Sequence, residues 1–207
     1  MLLVASTGTD RRRYTRAERN RQILDAAVAV FAERGYQASS MDAVAARVGV
    51  TKPVLYDHFG SKEGLLLGCI ARAREELLEV STRAAAAAST PEQMLRLGVQ
   101  AFFEYLDANS PAWTLLYQET ALPVGRSADS LEGIRAQQTD FIAALVSAHA
   151  PDVDPVRVQG WAQVIVGACE RLALWRRTEG GAEVTPARAT DYLMDLVWSG
   201  MAGPGRR

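Results

Sequence analysis

With 207 residues, 48% of them hydrophobic, and a mean hydropathy of -0.06, the chain can build a real core, and no apolar run approaches the ~18 residues of a membrane helix. The formal charge of -1 hides an uneven distribution: through Gly64, ten Lys and Arg stand against seven Asp and Glu, and beyond it thirteen stand against seventeen. The first third is therefore the part suited to a polyanion. Cys69 and Cys169 are too few for a disulfide framework and show no metal-ligand spacing, so no metal or cofactor is expected, and their apolar surroundings predict buried, inert thiols. Met1–Ala5 is apolar but short, and Arg11-Arg12-Arg13 follow it instead of preceding it, the wrong order for a signal peptide; a cytoplasmic protein is expected.

Taken in chain order, nearly every signal is helical. Ile23, Ala26, Ala27, Val30 and Phe31 recur at helical spacing within Thr15–Arg34, and Gly35 supplies a stop. Met41, Val44, Ala45 and Val48 repeat that spacing behind a cap at Ser39 or Ser40. Gly49-Val50-Thr51 is a tight break, and Thr51 is placed to cap a short helix ending near Phe59-Gly60. Ser61 then opens a long helix towards Ala84–Ala88. Four capping residues followed by proline (Thr90-Pro91, Ser110-Pro111, Asp154-Pro155, Thr185-Pro186) predict helices near 91–109, 111–121, 155–178 and 186–201. Gly125 and Pro151 bound another near 129–149. No segment alternates like a strand, so the fold class is all-α. Met94–Leu106 and Trp161–Trp175 are apolar on nearly every side and should be surrounded by neighbours.

Two short helices joined by a glycine-containing turn, Gly35 to Lys62, form a helix-turn-helix unit. Val44, Ala45, Val48, Val50, Leu55 and Phe59 suit its inward face. Lys52, Pro53, Val54, Tyr56 and His58 are left outward, where they suit phosphates and base edges. Two readings stand for His58, a DNA contact or a solvated helix-end side chain. Two also stand for Tyr36, a core plug or a DNA contact, and for Arg11–Arg13, a solvated tail or a minor-groove arm.

The segment from about Arg16 to Leu67 resembles the DNA-binding domain of the TetR (tetracycline-repressor-like) family. The resemblance rests on Ile23-Leu24-Asp25-Ala26-Ala27, Phe31-Ala32-Glu33-Arg34-Gly35-Tyr36, Gly49-Val50-Thr51-Lys52, Leu55-Tyr56 with Phe59, and Ser61-Lys62-Glu63. It implies that Ser40 and Thr51 offer hydroxyls or helix N-termini to phosphates. Lys52, Pro53 and Val54 would open the recognition helix beside the bases, and Tyr56, His58 and Lys62 would contact phosphates. Pro53 departs from the small, glycine-like residue common there. The remainder matches the family in helix count and length, which implies an arm (1–14), a DNA-binding domain (15–61), a helical effector-binding and dimerisation domain (62–201) and a tail (202–207).

That architecture implies a homodimer on double-stranded operator DNA, with Leu172, Trp175, Leu193, Leu196 and Val197 at its seam. It also implies a small, mostly apolar or aromatic effector. The aromatic wall Phe102, Phe103, Trp113 and Tyr117, completed by Cys69 and Trp161, is the expected pocket; core filling is the other reading of these side chains. An enzyme is disfavoured, since only His58 and His149 are available and no nucleophile elbow, phosphate loop or HExxH pair is present. A helical small-molecule-binding protein without DNA-binding activity is the remaining alternative.

Overall fold

A computed structural model describes residues 14–111, 126–149 and 151–202. Within them lie eight helices and no strand: α1 (Arg16–Ala38), α2 (Met41–Val48), α3 (Lys52–Phe59), α4 (Lys62–Ala86), α5 (Pro91–Ala108), α6 (Arg126–His149), α7 (Pro155–Trp175) and α8 (Pro186–Ala202). The helix expected near 111–121 and the basic arm lie outside the described residues, and so do Trp113 and Tyr117.

Caps fix where the helices begin. At α1, Thr15 Oγ1 accepts from Glu18 N (3.1 Å) and Glu18 Oε2 accepts from Thr15 N (2.8 Å), a reciprocal pair that satisfies two otherwise open N–H groups. Ser40 caps α2 by accepting from Ala43 N, while the buried Ser39 hydroxyl instead reaches the carbonyls of Val30 and Gly35. Asp154 and Thr185 cap α7 and α8 through Arg157 N and Arg188 N, and each precedes a proline that lacks the N–H a first turn would leave unpaired.

The head of the molecule packs α1, α2, α3 and the first turns of α4 around Ile23, Phe31, Val44, Leu55, Leu65 and Ile70, all essentially inaccessible to water. The body packs α5 against α4, α6, α7 and α8, which bears out its expected central place. For α7, expected to have neighbours on every face, one of them a candidate second subunit, the single chain covers one side. Val158, Ala162, Ile165, Cys169 and Ala173 form one buried stripe, but Val164 (63% exposed), Leu174 and Trp175 remain open on its flank.

Gly64 sits where α4 turns away from α3, and a Cβ there would lie 2.2 Å from the Phe59 carbonyl oxygen. Gly160, inside α7, would meet nothing within 4 Å. Helix propensity alone favours alanine over glycine by about 1 kcal/mol at both sites. Gly160→Ala should therefore raise the urea midpoint, by up to about 1 kcal/mol of stability. Gly64→Ala should lower it, because a backbone atom cannot yield as a flexible side chain would.

Candidate DNA-contact face and effector cavity

Gly49, in the left-handed region at φ 77°, closes α2 and turns the chain into α3. Leu55 anchors α3 with no exposure, and Lys52 and Tyr56, one helical turn apart, share its outer face with Tyr56 45% exposed. Thr51 occupies the cap position of α3 but makes no side-chain capping bond. The cause is local: Pro53 has no N–H, and the Val54 N–H donates to the Thr51 carbonyl (3.0 Å). The exposed Thr51 hydroxyl therefore faces solvent beside exposed Lys52 and Pro53. Val54, expected outward, is half-buried and packs against the head core, so only part of it remains for a base edge.

The cations of this face are held lightly. Lys52 Nζ lies 2.9 Å from Asp42 Oδ2, a pairing that raises the ammonium pKa; both groups are solvated, so water and salt screen the pair strongly. Lys62 Nζ stands 4.4 Å over the Tyr36 ring and donates to the Gln37 carbonyl (3.3 Å). Tyr36 in turn packs 5.7 Å from Phe31, which favours its reading as a plug; burial, then the charge of Glu63, pushes its hydroxyl pKa up. For His58 the structure adds a scaffold contact to the two readings. Its half-buried ring rests on Phe59, and Nδ1 is hydrogen-bonded to Asn20 Oδ1 of α1, away from the Lys52–Tyr56 face. It ties the recognition helix to the scaffold.

In the body, a narrow apolar cavity of about 60 Å³ lies between α4, α5, α6 and α7, walled by Leu77, Phe102, Phe141, Ile142 and Cys169, with Gln138 among its few polar groups. The 5% exposed Arg74 donates to Gln138 Oε1 (3.4 Å) at this edge. Of the expected wall residues that are described, only Phe102 lines this cavity. Phe103 is buried edge-on against Phe102, beneath the Arg176 guanidinium that forks onto Asp107. Cys69, expected at the pocket, lies instead at the α1–α4 contact, with Sγ 3.8 Å from the Leu24 carbonyl, and Cys169 lines the cavity. Trp161 lines a different, outward groove between α7 and α8, with Val164, Leu172, Tyr192, Leu196 and Val197. Leu196 is 80% exposed there. Leu193, buried, forms the floor of that groove, while Trp175 stands partly exposed at the end of α7 outside it. The α6 residues went unnoticed in the sequence, although Phe141, Ile142 and Leu145 carried the helical spacing that could have found them.

Residues 23–69 match the family model described as bacterial regulatory proteins, tetR family, and residues 91–200 match that of the tetracyclin repressor-like C-terminal domain. The transcriptional activator FasR of Mycolicibacterium smegmatis is 36% identical over 135 residues, 65% of this chain and 62% of FasR, so the match spans less than two thirds of that relative. A TetR-like transcriptional regulator from Rhodococcus sp. RHA1 superposes with a TM-score of 0.70 at 31% identity, over 92% of this chain and all of that one. FadR from Bacillus subtilis, solved with stearoyl-CoA, shares the fold at a TM-score of 0.77 and 19% identity, covering 87% of this chain and 98% of that one.

Burial pushes both thiols up to about 12. At pH 8 that leaves about one thiolate in ten thousand, and only the thiolate attacks. Native protein should resist iodoacetamide at both positions and take up two equivalents once unfolded. Rapid native labelling at Cys169 would show that the cavity opens to solvent.

Proposed function

The chain belongs to the TetR family of bacterial regulatory proteins, and from that premise we propose that it is a homodimeric, cytoplasmic transcriptional regulator whose operator binding is set by a small, mostly apolar molecule. In this reading residues 15–61 bind DNA and residues 62–201 bind effector and partner. The arm and tail, 1–14 and 202–207, flank them. The reading is supported most by one observation. The solvent-facing strip of Thr51, Lys52 and Tyr56 is joined, through the uninterrupted helix α4, to the wall of an apolar cavity. No catalytic step is needed, because differential binding supplies the response.

The two heads of a dimer enter successive major-groove half-sites about 34–36 Å apart. A cavity of about 60 Å³ is too small for an apolar ligand of any length, so entry pushes α4 away from α6 and α7. Because α4 also carries the head, that displacement changes the head spacing and with it the fit to DNA. Repression relieved by ligand is the direction proposed, in keeping with the repressor-like C-terminal family model; activation, the role in FasR's name, is the second reading. Among the described residues no helix is long and apolar enough to cross a membrane.

A two-fold-symmetric operator should be bound with an affinity that falls steeply with salt as counterions are released. Lys62→Ala should weaken every sequence roughly alike and reduce the salt slope by about 1, whereas Lys52→Ala should change which bases are preferred. Unchanged affinity for Tyr56→Ala and Lys62→Ala together would refute the contact face.

The apolar α7–α8 groove is proposed as the dimer seam, self-complementary about a two-fold axis. Leu196→Arg, at an 80% exposed position, should leave the monomer folded and convert the dimer to monomer in sedimentation experiments. Leu193→Arg, at a fully buried one, should unfold the chain. A Leu196→Arg dimer of undiminished affinity would place the seam elsewhere.

A further inference from the structure

Of the 23 Lys and Arg residues in the sequence only two are lysine, Lys52 and Lys62, and both belong to the proposed DNA-contact face. Every other basic position is arginine. Phosphate binding alone does not call for that choice. An arginine fork holds phosphate at least as well, and its guanidinium stays protonated and inert towards acyl donors. A lysine ammonium gives up its proton far more readily, and the neutral amine then attacks an activated carbonyl. Acylatable side chains are thus confined to the one surface where a lost cation would count. Lys52 is exposed, and Lys62 Nζ reaches the Gln37 carbonyl in a solvent-exposed hydrogen bond (3.3 Å), so a small donor can approach both amines.

We propose that Lys52 and Lys62 are a covalent off-switch: acylation of their amines by an acyl phosphate releases the operator. This inference rests on the reading of the face around Lys52 and Tyr56 as the DNA-contact face. In the reaction the neutral Nζ attacks the acyl carbon. An N–C bond forms, the C–O bond to phosphate breaks, phosphate leaves with the electron pair, and the amine proton passes to water. Nothing is oxidised or reduced. The class of donor follows from charge: ammonium groups that attract DNA phosphates also attract a phosphate-bearing reagent, and bound operator competes with it for the same surface.

Each amide removes more than a phosphate contact. At Lys52 it ends the ion pair with Asp42 (2.9 Å) and leaves an exposed carboxylate facing the DNA without its cation. The hydrogen bond from Lys52 to Asp42, and then the charge of that carboxylate, raise the Lys52 pKa; Asp42 therefore keeps this amine protonated and slows its acylation. At Lys62 the amide abolishes the cation that stands 4.4 Å over the Tyr36 ring, and with it the attraction that holds the side chain at the start of α4. A fully acylated face gives up two cations and uncovers one anion.

Acetyl phosphate is the probe, with an operator that the untreated full chain selects from random duplexes. Partly acetylated protein is separated into operator-bound and released fractions, and the acetyl groups are mapped by mass spectrometry. Those on Lys52 and Lys62 should be at least tenfold richer in the released fraction, which should keep the thermal unfolding midpoint of untreated protein. Saturating operator should protect both amines. Complete acetylation should reduce the salt slope by about 2 per chain, one for each neutralised contact. Asp42→Asn should acetylate faster at Lys52 and lose less affinity on acetylation, since no carboxylate is uncovered. Equal acetylation of the two lysines in both fractions, unchanged affinity after complete acetylation, release accompanied by unfolding, or failure of acetyl phosphate to modify either amine would overturn the proposal. An untreated chain that selects no duplex would instead refute the DNA-contact reading beneath it.

Discussion

A helix of 25 residues cannot stretch. At 1.5 Å per residue α4 is a strut about 37 Å long whose backbone bonds are internal, so it moves as a piece or not at all. Its first turns bury Leu65, Leu66, Cys69 and Ile70 in the head, and its later ones bury Leu77 and Ala85 in the body. A branched polar clamp reinforces the joint. Arg72 reaches Asp25 (2.7 Å) and the Arg21 carbonyl (3.2 Å) on α1, and also Glu76 on its own helix (3.3 Å). Glu76 accepts from the Tyr105 hydroxyl of α5 (3.0 Å), whose pKa is raised by burial and then by that carboxylate. Head, strut and central helix are thereby linked through charge-assisted bonds, of which the one from Tyr105 to Glu76 is partly buried.

In the proposed function, the same strut makes a small cavity an advantage. A large preformed pocket would accept a ligand with little motion, and nothing would reach the head. A tight one converts ligand volume into helix displacement, because close-packed interiors do not absorb strain softly. The surrounding side chains are chiefly Leu, Ile and Phe, with few polar groups to fix orientation.

Helices, their caps and the helix-turn-helix were legible because they depend on local rules: spacing, a capping hydroxyl, a proline, a left-handed glycine. Thr15, Ser40, Asp154 and Thr185 all cap as their sequence context implies. What the sequence could not distinguish was which neighbour each apolar face meets. Cys69 and Cys169 sit in similar apolar contexts, yet one belongs to the head and the other to the cavity. Trp161 and Phe103 look alike as aromatic wall candidates, but packing sends one to the outer groove and the other beneath Arg176. His58 occupies an outward-looking position on a short helix, and only the approach of α1 brings Asn20 to it. These placements are set by long-range packing, which periodicity does not encode.

The open flank of α7 and α8 has a consequence in time as well as in space. A regulator present at about 10 nM, associating at on the order of 10⁶ M⁻¹s⁻¹, needs on the order of a hundred seconds to find a partner. Through that interval a newly made chain carries Val164, Leu196 and Trp175 in water. Proteases and chaperones sample such surfaces continuously. With the seam where it is proposed, abundance would be self-thresholding: scarce synthesis would lose chains before they pair, a burst would rescue them, and the steady-state level would respond more steeply than linearly to the output of the gene.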